Sequence, residues 1–141
     1  MAYKTKYKIQ NFKKYIGDPS NIICRSLWER RVCKYLDENR NVVRWGSEEF
    51  YVPYKSPVDG KPHKYYPDFI AEIRKENEVK TYVIEVKPKK QCKPPKNKKR
   101  KSYINECITY SVNQAKWKSA KIYCAKNDWE FIILTEDNIL P

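Results

Sequence analysis

The sequence predicts a single α/β domain with α-β-β-β-α-β element order, a mixed β-sheet flanked by helices. Three observations predict it. Apolar residues recur at helical spacing after Ser26, two strand-like runs lie between Tyr65 and Lys87 around a short polar break, and a long helical stretch precedes the apolar run Phe131-Ile132-Ile133-Leu134. A chain of 141 residues suffices for one such core and is too short for two ordinary ones.

Each element has its own local reason. Residues 1–25, rich in Lys and Tyr, have no clear helical period and read as a basic N-terminal arm that wraps the domain or touches a partner. The domain proper is then 26–141. Trp28, Val32, Tyr35 and Leu36 define the stripe of a first helix from Ser26 to Asn39, and Ser26 with Glu29 three residues later forms a capping box. Phe50, Val52 and Tyr54 alternate with Tyr51 and Pro53 as in a strand near a sheet edge, since Pro53 donates nothing to a ladder. Ser56 to His63 turns through Asp59-Gly60, and the runs Tyr65 to Arg74 and Val79 to Lys87 form a β-hairpin around Lys75-Glu76-Asn77-Glu78.

Pro88 opens a basic loop, 88–101, that contains Lys89, Lys90, Lys93, Lys96, Lys98, Lys99, Arg100 and Lys101 without an acid and is expected to be mobile. A long helix follows, capped by Ser102, with Ile104, Cys107, Ile108, Val112, Ala115 and Ile122 as its apolar stripe. It ends at Asn127-Asp128. Glu130 to Thr135 is the last strand, apolar on both faces and expected inside the sheet.

Composition narrows the function. With 30 Lys+Arg against 17 Asp+Glu, the net charge of +13 suits a polyanionic partner. Hydrophobic residues at 40% and aromatics at 14% exclude a disordered basic tail. The cysteines Cys24, Cys33, Cys92, Cys107 and Cys124 are odd in number and lack a CxxC pair, which argues against a disulfide framework or zinc finger and for a reducing compartment. No signal peptide or membrane span is evident, so a soluble cytoplasmic protein is expected. His63, in a turn among Pro and Lys, is a surface residue, and one histidine is too few for a catalytic zinc.

The chemistry resides in the hairpin. Side chains of a strand alternate between faces, so Glu85 and Lys87 project together while Ile84 and Val86 face the other way. A turn centred between Glu76 and Asn77 pairs Asp68 with Glu85. Neighbouring carboxylates repel, and a divalent cation between them is the natural compensation. Mg²⁺, or Mn²⁺ in its place, takes a few carboxylate oxygens and completes its shell with water and substrate phosphate. Lys87 stands where an ammonium would orient the attacking water or offset developing charge. Glu29, beside the stripe of the first helix, is a third carboxylate for the metal or its water, although a capping box accounts for it equally well. The basic loop, with Arg25, is assigned to the DNA backbone.

Tyr65 and Tyr66 fit base stacking less well than strand packing, and Trp28, Trp45, Trp117 and Trp129 are expected mostly in the core. Asn113 and Gln114 fit either a substrate-positioning role or a polar helix face.

Tyr66-Pro67-Asp68 followed on the next strand by Glu85-Val86-Lys87 resembles the motif of the PD-(D/E)xK nuclease superfamily, and Arg25-Ser26-Leu27-Trp28-Glu29 resembles the upstream glutamate of many members. The element order from Ser26 to Thr135 matches that superfamily's restriction-endonuclease-like core. Together with the Lys-rich Pro94-Pro95 insertion and Asn113-Gln114-Ala115-Lys116-Trp117, the pattern is similar to the head completion nucleases of large tailed phages. The resemblance implies Mg²⁺ held by Asp68 and Glu85 with the Val86 carbonyl, hydrolysis assisted by Lys87, and Glu29 completing the site. It further implies DNA as substrate, phage head or portal proteins as partners, and association with the virion. A DNA-binding capsid-assembly protein that kept the fold and lost catalysis is the alternative.

Overall fold

The computed structural model describes residues 3–97 and 100–139. In chain order the elements are β1 (Thr5–Lys6), a 3₁₀ turn (Phe12–Lys14), β2 (Ile23–Cys24), α1 (Leu27–Glu38), β3 (Val42–Ser47), β4 (Val52–Lys55), β5 (Pro62–Tyr65), β6 (Phe69–Lys75), β7 (Glu78–Val86), a second 3₁₀ turn (Lys89–Cys92), α2 (Arg100–Lys126), β8 (Glu130–Leu134) and α3 (Glu136–Ile139). The main sheet has the order β3-β6-β7-β8, antiparallel except for the parallel pair β7-β8 that α2 connects. The α-β-β-β-α-β core is therefore present.

Its first strand, however, is β3 and not the 50–54 run. That run forms β4, which pairs with β5 in a separate two-stranded sheet. Val42-Val43-Arg44-Trp45-Gly46-Ser47 shows no clean alternation because Trp45, Gly46 and Ser47 are all buried in succession. The Tyr65–Arg74 run is also divided, into β5 and β6, at Tyr66-Pro67-Asp68. Pro67, fully buried, has no N–H for a ladder and turns the chain from one sheet into the other.

The sheet carries an apolar cluster on each face. On one side α1 lays Val32, Cys33 and Leu36 against Trp45, Phe69, Ala71, Ile84 and Val86. On the other, Trp117 and Ala120 of α2 meet Val52, Tyr54 and Tyr65 of the β4-β5 hairpin, with Phe131 and Ile133 alongside. β8 accordingly has apolar residues on both faces, as expected, but it lies at the sheet edge and is only half-buried.

Three further expectations need correction. Within α2 the buried residues are Asn113, Trp117, Ala120 and Cys124, while Ile104, Ile108 and Ile122 are exposed. Apolar residues surround this helix, so periodicity alone did not select the buried side; the seat for Trp117 between the hairpin and the sheet did. Ser102 lies inside the helix, bonded to Glu106, and is not its cap. The 88–101 segment is not wholly a loop, because Lys89–Cys92 form a 3₁₀ turn and Arg100 and Lys101 belong to α2; Lys98 and Lys99 lie outside the described residues.

The N-terminal segment wraps the domain. Tyr15, Ile22 and Cys24 are core residues, and the rings of Tyr7 and Tyr15 meet Trp45 edge-on at 6.4 and 4.9 Å. Asp37, fully buried on α1, accepts hydrogen bonds from the Tyr7 hydroxyl at 2.8 Å and from the Gln10 and Asn11 N–H groups at 2.9 Å. Burial opposes ionisation of Asp37, but these donors outweigh it and hold the carboxyl below its ordinary value.

Candidate active site

The β6-β7 hairpin turns at Glu76-Asn77, with Glu76 in the left-handed region (φ 58°) and Lys75 paired with Glu78. That turn sets the register expected from the sequence. The pairing runs to Phe69 opposite Ile84, so the next step places Asp68 beside Glu85. A hydrogen bond of 2.7 Å from the Val86 N–H to Asp68 Oδ2 fixes the aspartate there. Glu85, buried, accepts a 2.8 Å bond from the Tyr65 hydroxyl at Oε1. Lys87 Nζ lies 3.9 Å from Glu85 Oε2.

Each acid thus has one oxygen anchored. Burial pushes the Asp68 carboxyl well above its ordinary range, and the charges of Glu85 and then Glu29 add to the effect. The hydrogen bond from Val86 and the charge of Lys87 oppose it without reversing it. Two crowded acids with Asp68 Oδ1 and Glu85 Oε2 left over are a donor set that gains from a hard divalent cation. Among the described residues no three His, Cys, Asp or Glu side chains are drawn close enough to hold a metal by themselves, so a cation here would take two carboxylates and complete its shell with carbonyl and water oxygens.

Glu29 serves the helix first. Ser26 caps α1 by accepting from the Glu29 N–H, while the Glu29 carboxylate takes the Arg25 N–H at 3.1 Å and the Ser26 hydroxyl at 3.3 Å. Burial raises its pKa despite these bonds. Its charge adds to the effects that raise the Asp68 carboxyl.

Glu48 is a further acid that the sequence reading missed. It follows β3 in the left-handed region (φ 55°), its N–H bonds the Asp68 carbonyl at 3.1 Å, and its carboxylate is held in a two-pronged ion pair by Arg25 at 2.9 and 3.2 Å. No motif in Gly46-Ser47-Glu48-Glu49 announces it. Arg25, expected at DNA, is therefore at the rim of the acidic site and engaged with Glu48.

Among the described basic residues of 88–101, Lys96 and Arg100 are exposed, and the others separate into two groups. Lys89 is tied to α3, its N–H to Glu136 and its ammonium to Asp137. Lys90, Lys93 and Lys101 instead line a groove of about 720 Å³ between the 88–97 segment and α2, with Asn105, Tyr110 and Asn113. Asn113, buried on the inner face of α2, thus borders the groove, whereas Gln114 is exposed. Tyr65 is buried, Tyr66 is exposed, Trp45 and Trp117 are core residues, and Trp28 and Trp129 are half-buried. His63 is exposed and bonded to Asp59.

Comparison with known proteins places the chain among nucleases by similarity. Over 145 aligned residues the chain is 38% identical to the head completion nuclease of Enterobacteria phage T4, covering 99% of this chain and 95% of that protein. Residues 39–136 match the TnsA-like endonuclease N-terminal family, a segment that includes Asp68, Glu85 and Lys87 but begins after Glu29. With about two thirds of its length matched and a crowded acid pair at the mouth of its central hairpin, the chain belongs to the TnsA-like endonuclease N-terminal family.

Proposed function

We propose that this protein is a divalent-metal-dependent DNA endonuclease of the PD-(D/E)xK type that processes DNA ends during completion of a phage head. The observation that carries the reading is the adjacency of Asp68 and Glu85, each with one oxygen fixed by the fold, with the Lys87 ammonium on the same side. The likeness to a phage head completion nuclease supports the biological setting, and phage head or portal proteins would be its partners.

In this reading Asp68, Glu85 and the Val86 carbonyl hold Mg²⁺, with Mn²⁺ able to replace it. When bound, the ion offsets the two carboxylates, polarises the phosphodiester and acidifies a water. Lys87 orients the attacking water and balances charge on the phosphate as the new P–O bond forms and the bond to the leaving sugar oxygen breaks. Glu29 supports the water from the helix side, and Tyr65 fixes the rotamer of Glu85. Lys90, Lys93 and Lys101 take the DNA backbone along the groove beside α2.

Plasmid cleavage in Mg²⁺ or Mn²⁺ tests the proposal. Wild-type protein is expected to cut, and Asp68→Ala, Glu85→Ala and Lys87→Ala to lose at least about 100-fold in rate while remaining folded. Equal cleavage by wild type and variants would show that the activity lies elsewhere. Metal-independent, salt-sensitive DNA binding without any cleavage would favour the non-catalytic assembly protein.

A further inference from the structure

The β4-β5 hairpin has two faces with different compositions. Val52, Tyr54 and Tyr65 point inward against Trp117 and Ala120. Pro53 pairs with Lys64 on the exposed side. One step beyond the Val52-Tyr65 pair, the same register brings Tyr51 and Tyr66 together at the open end of the hairpin. Their ring centroids are 5.7 Å apart at 49°, and Lys64 Nζ stands 4.8 Å from the Tyr51 centroid.

Both rings remain accessible, Tyr51 at 43% and Tyr66 at 48%. Tyr65, between the hairpin and Trp117, is buried. Tyr51 and Tyr66 instead sit where the chain passes directly to the acid pair. Tyr66 precedes the buried Pro67 and Asp68, so the Cα atoms of Tyr66 and Asp68 lie within about 7 Å of each other. Glu48, three residues before Tyr51, bonds the Asp68 carbonyl. Lys64 is the cation beside the rings, whereas Lys55 and Lys61 lie at the turn end of the hairpin, where its one acid, Asp59, is engaged by His63.

An exposed aromatic pair with the Lys64 ammonium at one ring is complementary to a nucleobase with its phosphate. Bases inside continuous duplex are already stacked on one another and offer no free face. We infer that Tyr51 and Tyr66 form a stacking platform for an unpaired base next to the cleavage site, which makes DNA with single-stranded nucleotides beside the scissile phosphate the preferred substrate over continuous duplex. This rests on the nuclease reading for the site and adds the class of DNA that enters it.

Binding without cleavage tests the platform separately. The full-length protein is titrated in EDTA with a blunt duplex and with a duplex bearing a short single-stranded tail, each carrying 2-aminopurine, paired in the first and unpaired in the second. The tailed DNA is expected to bind about tenfold tighter and to show quenched fluorescence. Tyr51→Phe and Tyr66→Phe should retain both properties, and the Tyr51→Ala/Tyr66→Ala double variant should lose both with circular dichroism unchanged. If that variant fails to fold, Tyr51→Leu/Tyr66→Leu, which keeps apolar bulk at both positions but has no aromatic face, decides instead. Equal affinity for the two DNAs in wild type, or a tail preference that survives the substitutions, overturns the inference. Parallel incubation in Mg²⁺ separates the two claims: tyrosine-dependent preference without cleavage removes the nuclease reading alone, and cleavage without preference removes the platform alone.

Discussion

Glu85 has two oxygens with different partners, and this division explains the site at the scale of single residues. Oε1 is saturated by Tyr65 while Oε2 faces Lys87. Removing the Tyr65 hydroxyl frees the rotamer of a buried carboxylate without changing its charge. Tyr65→Phe is therefore expected to weaken Mn²⁺ or Mg²⁺ binding by about 10- to 100-fold, measured by calorimetric titration, with cleavage recovered at high metal concentration. Asp68 yields a prediction in pH. Its carboxyl is pushed up to about 8 by burial, Glu85 and Glu29, whereas in the unfolded chain it ionises near about 4. Between those values the native state holds a proton that the unfolded state has lost, so this group makes metal-free protein less stable as pH rises across the window, and its effect levels off above it. Scanning calorimetry in EDTA should show that decline in wild type and not in Asp68→Asn. Adding Mg²⁺ at pH 8 should raise the unfolding midpoint of wild type only.

At the scale of elements, the start of α1 gives one residue, Glu29, a structural task and, in the proposed nuclease reading, a chemical one. Ser26 and Glu29 form the cap, and the charge of Glu29 also adds to the effects that raise the Asp68 carboxyl. The two tasks separate by substitution. Ser26→Ala should lower stability by about 1 kcal/mol, read from denaturant midpoints, and leave cleavage nearly intact. Glu29→Gln retains an oxygen for the Arg25 N–H, so stability should change little while cleavage falls at least about tenfold. Proportional losses in both variants would reduce Glu29 to a capping residue. The hairpin shows which element-scale information was legible. Asp68 beside Glu85 followed from a turn at Glu76-Asn77, because a two-residue turn leaves one register and face alternation does the rest. The break at Pro67 was visible as a residue but not as a boundary, since the same Tyr-rich run suits one long strand or two short ones in different sheets.

Considered as a whole molecule, the domain is closed by its N-terminal segment. Thr5, Tyr7 and Ile9 are half-buried while Lys4, Lys6 and Lys8 are exposed, a period-two signal within a stretch that otherwise reads as a basic tail. The segment is held chiefly at Asp37. Asp37→Ala should lower stability by roughly 2–4 kcal/mol, since three donors lose a buried charged acceptor, and the fall would appear as about 10 °C in the unfolding midpoint. The depressed carboxyl fixes the sign in pH: Asp37 contributes its stability above the unfolded value near about 4 and loses it as pH falls through its lower folded value. Wild type should release the segment in acid, seen as faster amide exchange around Trp45, whereas Asp37→Ala should exchange quickly at neutral pH too.

Local sequence determined the elements whose causes are local: the cap at Ser26, the alternation that aims Glu85 and Lys87 to one side, the hairpin register and the cationic balance of +13. Tertiary structure alone decided what depends on distant partners. It chose Trp117 and not Ile104 or Ile108 as the buried side of α2, made β3 the first strand of the main sheet, brought Glu48 and Arg25 to the acidic rim, and sorted Tyr65 inward and Tyr66 outward. Periodicity states that a residue has a face, but the free energy of burying that face depends on which surface arrives to cover it.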